Sequence, residues 1–501
     1  MKNTIQLNDG HFPTSAPEDQ GISSADIAAL LQDLEERSFD LHSVQIVRNG
    51  RLCFSAAAAP FTLDSPHRAY SATKGIIAAA VLFAIQEGKI RFDDIVVDFF
   101  RDELPDHLDE RYRRLTVYHM LTMQVGQASD AAFLHIIFED PNGDLVRCFF
   151  GTPMIDEPGT KFSYNNAVPQ MLCYIVERAT GIAFEEYLRS HLCEPLGIDV
   201  VVQHSNGGNY EPSTSVLSSN SFLKVALFFL QEGAWNGEQL LDPALARSAG
   251  AFHVPTGARD PGYSNGKGYG LQLWRNAFGG YRFDGGRGQY AIVVPDEDLV
   301  TVFVSNELEP AILIDVFYER VFSRMRRLPL TPSAEAASAL DAALRRFSLA
   351  PLDAAPASPV LASIDGHAFS FVGNELGLES FRLESSGDGV RLSIRITGRD
   401  ESAHCGLGGR WSENVEPFLF APDMSHSNAI YTMDPNRVLL SGGWLSDSVF
   451  VFKLRSLASL GEYAVRCDFS RGGLALDVPR RVSIGKEKFE DAVRLVSARV
   501  D

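Results

Sequence analysis

Ser71 and Lys74 stand three residues apart in the run Tyr70-Ser71-Ala72-Thr73-Lys74. A serine hydroxyl is a poor nucleophile until a neighbouring base takes its proton. A lysine serves as that base when burial or nearby positive charge lowers its pKa. Residues three apart share one face of a helix, about 5–6 Å apart at Cβ, so this spacing sets amine against hydroxyl. A helix N-terminus adds partial positive charge, which favours the neutral amine and a developing oxyanion. The chemistry open to such a pair is acyl transfer through the serine oxygen.

The spacing alone is not decisive, because it recurs at Ser221/Lys224, Ser264/Lys267 and Ser483/Lys486. The Ser264 and Ser483 copies each enclose a glycine; the first reads as a turn, and the second falls in a strand-rich region. Ser221 opens an apolar helical pattern and is followed by Tyr263-Ser264-Asn265. It is a rival, whose plainer reading is a helix N-cap. Ser71 differs in what lies behind it. Residues 73–87 are apolar nearly all round (Ile76, Ile77, Val81, Leu82, Phe83, Ile85), the pattern of a helix in a domain interior. Only such packing desolvates Lys74 enough to make it a base. The competing reading, an N-cap serine with a snorkelling lysine, needs a polar face this helix lacks.

The surrounding elements follow from periodicity. Residues 23–37 repeat apolar positions at helical spacing (Ile27, Leu30, Leu31, Leu34) behind a Ser23-Ser24 cap. Val44–Val47 and Leu52–Ala56 flank Asn49-Gly50, a hairpin signal. Helical patterns cover 168–190 and 221–232, and strand-like runs cover 269–275 and 289–304. Opening and closing strands with helices between them predict an antiparallel sheet covered by helices, ending near 330. Residues 331–359 are rich in Ala, Pro and Ser and read as a linker, with a short helical pattern at 338–347. After 360, period-two runs such as Phe381–Glu384, Val390–Ile396, Val449–Leu454 and Leu474–Val478 recur between turns. They predict an all-β module of barrel or sandwich type. The fold class is therefore α+β, with domains at 1–330 and 360–501.

At 501 residues the chain is too long for one ordinary core. Its net charge of −19 repels phosphates and anionic membrane surfaces, so neither nucleic acid nor a membrane is an expected partner. Arg324-Met325-Arg326-Arg327 is too short a basic run to change this and reads as a solvated helix end. No apolar leader opens the chain and no stretch reaches the roughly 18 apolar residues of a membrane span. Six scattered cysteines without a Cys-x-x-Cys suit reduced thiols in the cytoplasm. The histidines show no zinc spacing, so no metal site and no cofactor are expected. His119 reads as a structural histidine. Gly285-Gly286-Arg287-Gly288 lacks the phosphate-loop pattern and reads as backbone approaching a cleft closely.

Tyr164-Asn165-Asn166 precedes a long helical segment ending at Glu194-Pro195-Leu196-Gly197. Tyr-Ser-x-Thr-Lys, then Tyr-x-Asn, then Glu-Pro-Leu-Gly resembles the class C β-lactamase and penicillin-binding-protein-like serine hydrolases. Leu115 to Met123 and Gly288 to Pro295 resemble further pieces of that family, so the likeness runs in order over roughly residues 15–325. The resemblance implies a β-lactamase/transpeptidase-like domain, an antiparallel sheet flanked by helices plus an all-helical part. It implies Ser71 as the acylated nucleophile, Lys74 as proton acceptor, Tyr164 as second base and Asn166 as the group orienting Lys74 and the substrate amide. A phenol titrates near ~10 unperturbed, so Tyr164 needs an adjacent cation, which Lys74 supplies.

The third family motif, normally Lys-Thr-Gly or His-x-Gly, falls at Phe283-Asp284-Gly285, where the basic residue is missing. That departure resembles the esterase and amidase members, including the 6-aminohexanoate-dimer hydrolase group, more than drug-hydrolysing ones. The resemblance further implies an oxyanion hole from the N–H groups of Ser71 and Gly286, with Asp284, Gly285 and Arg287 near the substrate. Arg287 reads equally as a surface charge. The β module resembles the lipocalin-like extensions of some of these hydrolases. The expected substrate is a small ester, amide or peptide. A β-lactamase, a D,D-peptidase or D-aminopeptidase, and a catalytically weak binding protein on the same fold are the alternatives. Oligomeric state stays open.

Overall fold

Asn49 and Gly50 take φ of +49° and +73°, the left-handed pair that a two-residue hairpin turn requires. They join β1 (Leu41–Arg48) to β2 (Arg51–Ala57), closing on the pair Arg48 and Arg51. The hairpin is the edge of a six-stranded antiparallel sheet in the computed structural model. That model describes residues 11–497 apart from 129, 141, 205–207, 258–266, 308, 417, 419–437, 457–461 and 480–491. The other strands are β3 (Trp274–Arg275), β4 (Tyr281–Gly285), β5 (Gln289–Val294) and β6 (Leu299–Ser305). Their order across the sheet is β2-β1-β6-β5-β4-β3, so the first hairpin pairs with the last strand of the domain. β1, β5 and β6 are buried along their whole lengths, as strands covered on both faces must be.

Helix α1 (Ser24–Glu36) starts where the Ser23 hydroxyl accepts the Ala25 N–H. Helix α2 (Thr73–Gln86) is buried from Thr73 through Ala84. Its approach to the sheet depends on Gly75, where a Cβ would lie 2.4 Å from the Phe283 ring of β4. Helix α3 (Ala167–Thr180) ends at Gly181, φ +74°. The helical pattern expected to run unbroken over 168–190 is interrupted there, because the left-handed residue turns the chain. Helix α4 (Ser219–Leu230) lies along β5 and β6. Its Phe222 and Phe229 rings meet Phe283 at 5.8 and 5.6 Å. Helix α5 (Ala311–Arg320) sets Phe317 against Phe303 of β6 at 5.5 Å. Helix α6 (Ala334–Arg346) packs on α1.

Two compact units divide the chain. The first comprises Met1–Arg37, Leu41–Ala58 and Thr62–Phe347, and the second Ser38–Asp40, Ala59–Phe61 and Ser348–Asp501. The stretch read as a linker thus opens with helix α6 inside the first unit. The second unit is a ten-stranded sheet running from Ala368–Ser370 at one edge to Ala492–Val496 at the other. It curls into a half-barrel. The hairpin expected across Ser386–Gly389 forms with Ser386 opposite Gly389. One face is lined by a continuous apolar core including Phe381, Leu392, Phe418, Trp444, Phe450 and Phe452. Among the described residues no helix is long and apolar enough to cross a membrane.

Candidate active site

The strand Pro66–Arg68 pairs antiparallel with Tyr210–Ser218, and Ala69 N–H donates to Ser215 O at 2.8 Å. These bonds fix the chain just before a 3₁₀ turn at Tyr70–Ala72. Tyr70 holds φ +49°, a conformation that costs a bulky residue about 1–3 kcal/mol and marks functional sites. It is buried, with its ring against Gly286. Ser71 follows, partly exposed, at the entrance to α2.

Lys74 sits in the first turn of α2 and is 3% exposed. Its Nζ donates to Ser71 Oγ at 2.7 Å and to Asn166 Oδ1 at 2.9 Å. Burial pushes its amine down to about 7, against the opposing pull of the Asp130 and Asp284 carboxylates. Desolvation wins here because neither carboxylate forms an ion pair with it among the described residues.

Tyr164 presents its ring face to Lys74, with Nζ 4.8 Å from the centroid. Bonds on either side hold it. Ser163 N–H donates to Met123 O at 2.8 Å, and Asn165 Nδ2 donates to Gln127 Oε1 at 2.7 Å. Gln127 in turn donates to Tyr112 Oη and Phe149 O. The Tyr164 ring stacks on Trp274 at 5.7 Å, and Tyr269 meets both edge-on. Asn166 lies at the N-terminal end of α3.

The strand end 284–286 reaches the same turn. A Cβ on Gly285 would lie 2.2 Å from Ala69 O and 3.2 Å from Ala72 Cβ, so β4 approaches the Ser71 turn only with glycine there. Asp284 is joined to the group by its charge on Lys74, and its carboxylate also pairs with Arg282 Nε at 2.8 Å. Arg287 holds φ +66°, and its carbonyl accepts from Ser305 Oγ. Its Nη1 is buried without a hydrogen-bond partner, and no contact ties the side chain to Ser71 or Lys74 among the described residues.

The rival pair separates. Ser221 N–H and Oγ both bond to Ser218 Oγ, which is the actual N-cap of α4. Lys224 Nζ donates instead to Gly197 O at 2.7 Å. Ser264 and the 483–486 pair lie outside the described residues. His119 takes part in a capping box with Thr116. No group of three or more metal-ligating side chains comes together among the described residues.

Two neighbours carry no sequence signal of their own. Asp130, in the turn before Ala131–Leu134, accepts from Asn166 N–H at 2.5 Å and from Asn166 Nδ2 at 2.9 Å. Trp274 reaches Tyr164 from β3. A partner 36 residues away leaves no periodic trace; the Trp274 run, Tyr269-Gly270-Leu271-Gln272-Leu273-Trp274, only reads as a strand.

The Beta-lactamase family model matches residues 28–315. The chain belongs to that family. Monacolin J acid methylbutanoyltransferase of Aspergillus terreus is 29% identical over 160 residues, covering 28% of this chain and 38% of the relative. Protein flp of Staphylococcus aureus (strain MW2) is 25% identical over 178 residues, covering 33% and 35%. These matches span well under half the length of the curated relatives. An octameric penicillin-binding protein homologue from Pyrococcus abyssi aligns over 94% of this chain and 99% of its own, at 15% identity and a TM-score of 0.47.

Proposed function

We propose that this chain is a serine hydrolase of small esters, amides or peptides that works through an acyl-enzyme on Ser71. The observation carrying this reading is the buried Lys74 amine, 2.7 Å from Ser71 Oγ and held down to about 7 by burial. Near neutral pH a large fraction of it is unprotonated, the condition a general base needs. Ser71 Oγ attacks the substrate carbonyl carbon as its proton passes to Lys74 Nζ. The oxyanion that forms is met by the N–H groups of Ser71 and Gly286. The proton returns to the leaving oxygen or nitrogen through Tyr164, and the acyl–leaving-group bond breaks. Tyr164, passing its own proton to the neutral Lys74 amine, takes a proton from water as that water attacks the acyl-enzyme. Lys74 then gives its proton to Ser71 Oγ as the acyl–oxygen bond breaks, releasing acid and free Ser71. Asp284, Gly285 and Arg287 border the substrate. Asp284 stands where the family's drug-binding members carry a cation, which argues against β-lactams as the preferred substrate. All six cysteines are free thiols, which supports a cytoplasmic setting.

A second reading has its own support. The Aspergillus relative is named as a methylbutanoyltransferase. An acceptor alcohol or amine replacing water in the last step turns the same site into an acyl transferase.

A fluorophosphonate probe followed by intact-mass measurement tests the nucleophile. One adduct on wild type and none on Ser71→Ala is expected; equal labelling of both, or of neither, removes the assignment. Turnover of p-nitrophenyl esters with and without an added alcohol then separates hydrolysis from transfer, and Lys74→Ala should abolish both.

A further inference from the structure

Asp130 closes the hydrogen-bond chain behind the nucleophile. Its two carboxylate oxygens face Asn166, one on the backbone N–H at 2.5 Å and one on the side-chain Nδ2 at 2.9 Å. An ionised carboxylate only accepts hydrogen bonds. Asn166 must therefore turn its amide nitrogen to Asp130, which leaves its oxygen for Lys74 Nζ at 2.9 Å. A neutral amine has two N–H groups and one lone pair. With Asn166 Oδ1 taking an N–H, the lone pair is left for the Ser71 hydroxyl. A flipped Asn166 donates to that lone pair and removes the base.

We propose that Asp130 is a positioning residue for acyl transfer, acting through Asn166 to aim the Lys74 lone pair at Ser71 and setting the charge against which that amine exchanges its proton. This rests on the reading of Ser71 and Lys74 as nucleophile and base.

The groups facing Lys74 come from four places. Ser71 shares its turn. Asn166 and the Tyr164 ring come from the entry to α3, with Tyr269 behind that ring. Asp284 comes from β4 and is offset by Arg282. Asp130 comes from the turn after Gln127 and has no basic partner among the described residues. Both carboxylates favour the protonated amine, and only Asp130 also fixes Asn166.

The test is the rate of fluorophosphonate labelling at Ser71 as a function of pH, by intact mass, for wild type, Asp130→Asn, Asp130→Glu, Asn166→Ala and the Asp130→Asn/Asn166→Ala pair. Asp130→Asn is expected to lower the high-pH plateau by about a hundred-fold, the lower end of the usual share of general-base catalysis. It also moves the acid limb to lower pH, because a negative charge beside the amine is gone. Asp130→Glu keeps the limb at its wild-type position. In the Asn166→Ala background Asp130→Asn no longer lowers the plateau. A limb and plateau of Asp130→Asn that superimpose on wild type overturn the inference, as does an undiminished plateau loss in the Asn166→Ala background. If Asp130→Asn does not fold, a limb displaced to lower pH in Asp130→Glu overturns it. Wild type that is never labelled at Ser71 overturns the functional reading and this inference together. Labelled wild type with an unaffected Asp130→Asn overturns this inference alone.

Discussion

Lys74 is a lysine whose chemistry is made by its surroundings. Its side chain is buried in the first turn of α2 and its amine is held to about 7 against an ordinary 10.5. On the proposed mechanism activity needs the unprotonated amine, so kcat/KM for an ester should rise about tenfold per pH unit below about 7 and level off above it. Stability follows the same proton. Between about 7 and 10.5 the unfolded chain keeps the Lys74 proton and the folded chain does not, so the native state gains stability as pH rises through that window. Below it, the full burial cost of an ammonium acts on the fold. Lys74→Met should remove that cost and abolish turnover. The expected gain, on the order of 1–2 kcal/mol, should appear in urea unfolding at about pH 6 and shrink towards about pH 9. An equal gain at both would show that burial of charge is not its source.

Two glycines set how closely α2 and β4 approach. Gly75 admits the Phe283 ring, and Gly285 admits the Ala69 carbonyl. Gly75→Ala should cost about 1–3 kcal/mol by overpacking, and Phe283→Leu in the same chain should recover part of it in denaturant unfolding. Gly285→Ala meets backbone rather than a movable side chain, so it should lower Ser71 labelling sharply with no such rescue. At this scale much was legible. Asn49-Gly50 announced its turn because few residue pairs tolerate two left-handed positions, and the all-apolar run 73–87 announced its burial. The 269–275 run misled, since only Trp274–Arg275 is strand. Tyr269 instead bridges both Val254 and Trp274, a packing choice that alternation does not encode.

The whole molecule divides into two units, each with a core of its own, and the second includes the short segments Ser38–Asp40 and Ala59–Phe61. Leu349 N–H donates to Ala59 O at 2.9 Å. Phe61, 3% exposed, clusters with Leu439, beside Leu349 and Trp411. Phe61→Ala should therefore destabilise the second unit by about 3–5 kcal/mol, read by calorimetry or by Trp fluorescence of unfolding, although residue 61 lies early in the chain. The expected boundary near 330 came from composition. The chain stays in the first unit to Phe347 because α6 buries Ala336, Leu340 and Ala343, a face that an Ala-rich stretch conceals.

By itself the sequence determined the local facts: which residues turn, which helix has no polar side, and which serine and lysine stand one helical turn apart. Those follow from backbone sterics and from the periodicity of burial, and both act over a few residues. The all-apolar helix behind Ser71 and the ordered Tyr164-x-Asn166 already favoured it over Ser221. Both pairs have the same spacing, and only the tertiary structure shows Lys74 reaching its serine while Lys224 spends its amine on the Gly197 carbonyl. Asp130 and Trp274 were decided entirely at that level. A carboxylate that orients an amide from another loop, and a ring that stacks on another ring, act through space, and the chain between them leaves no mark of the contact.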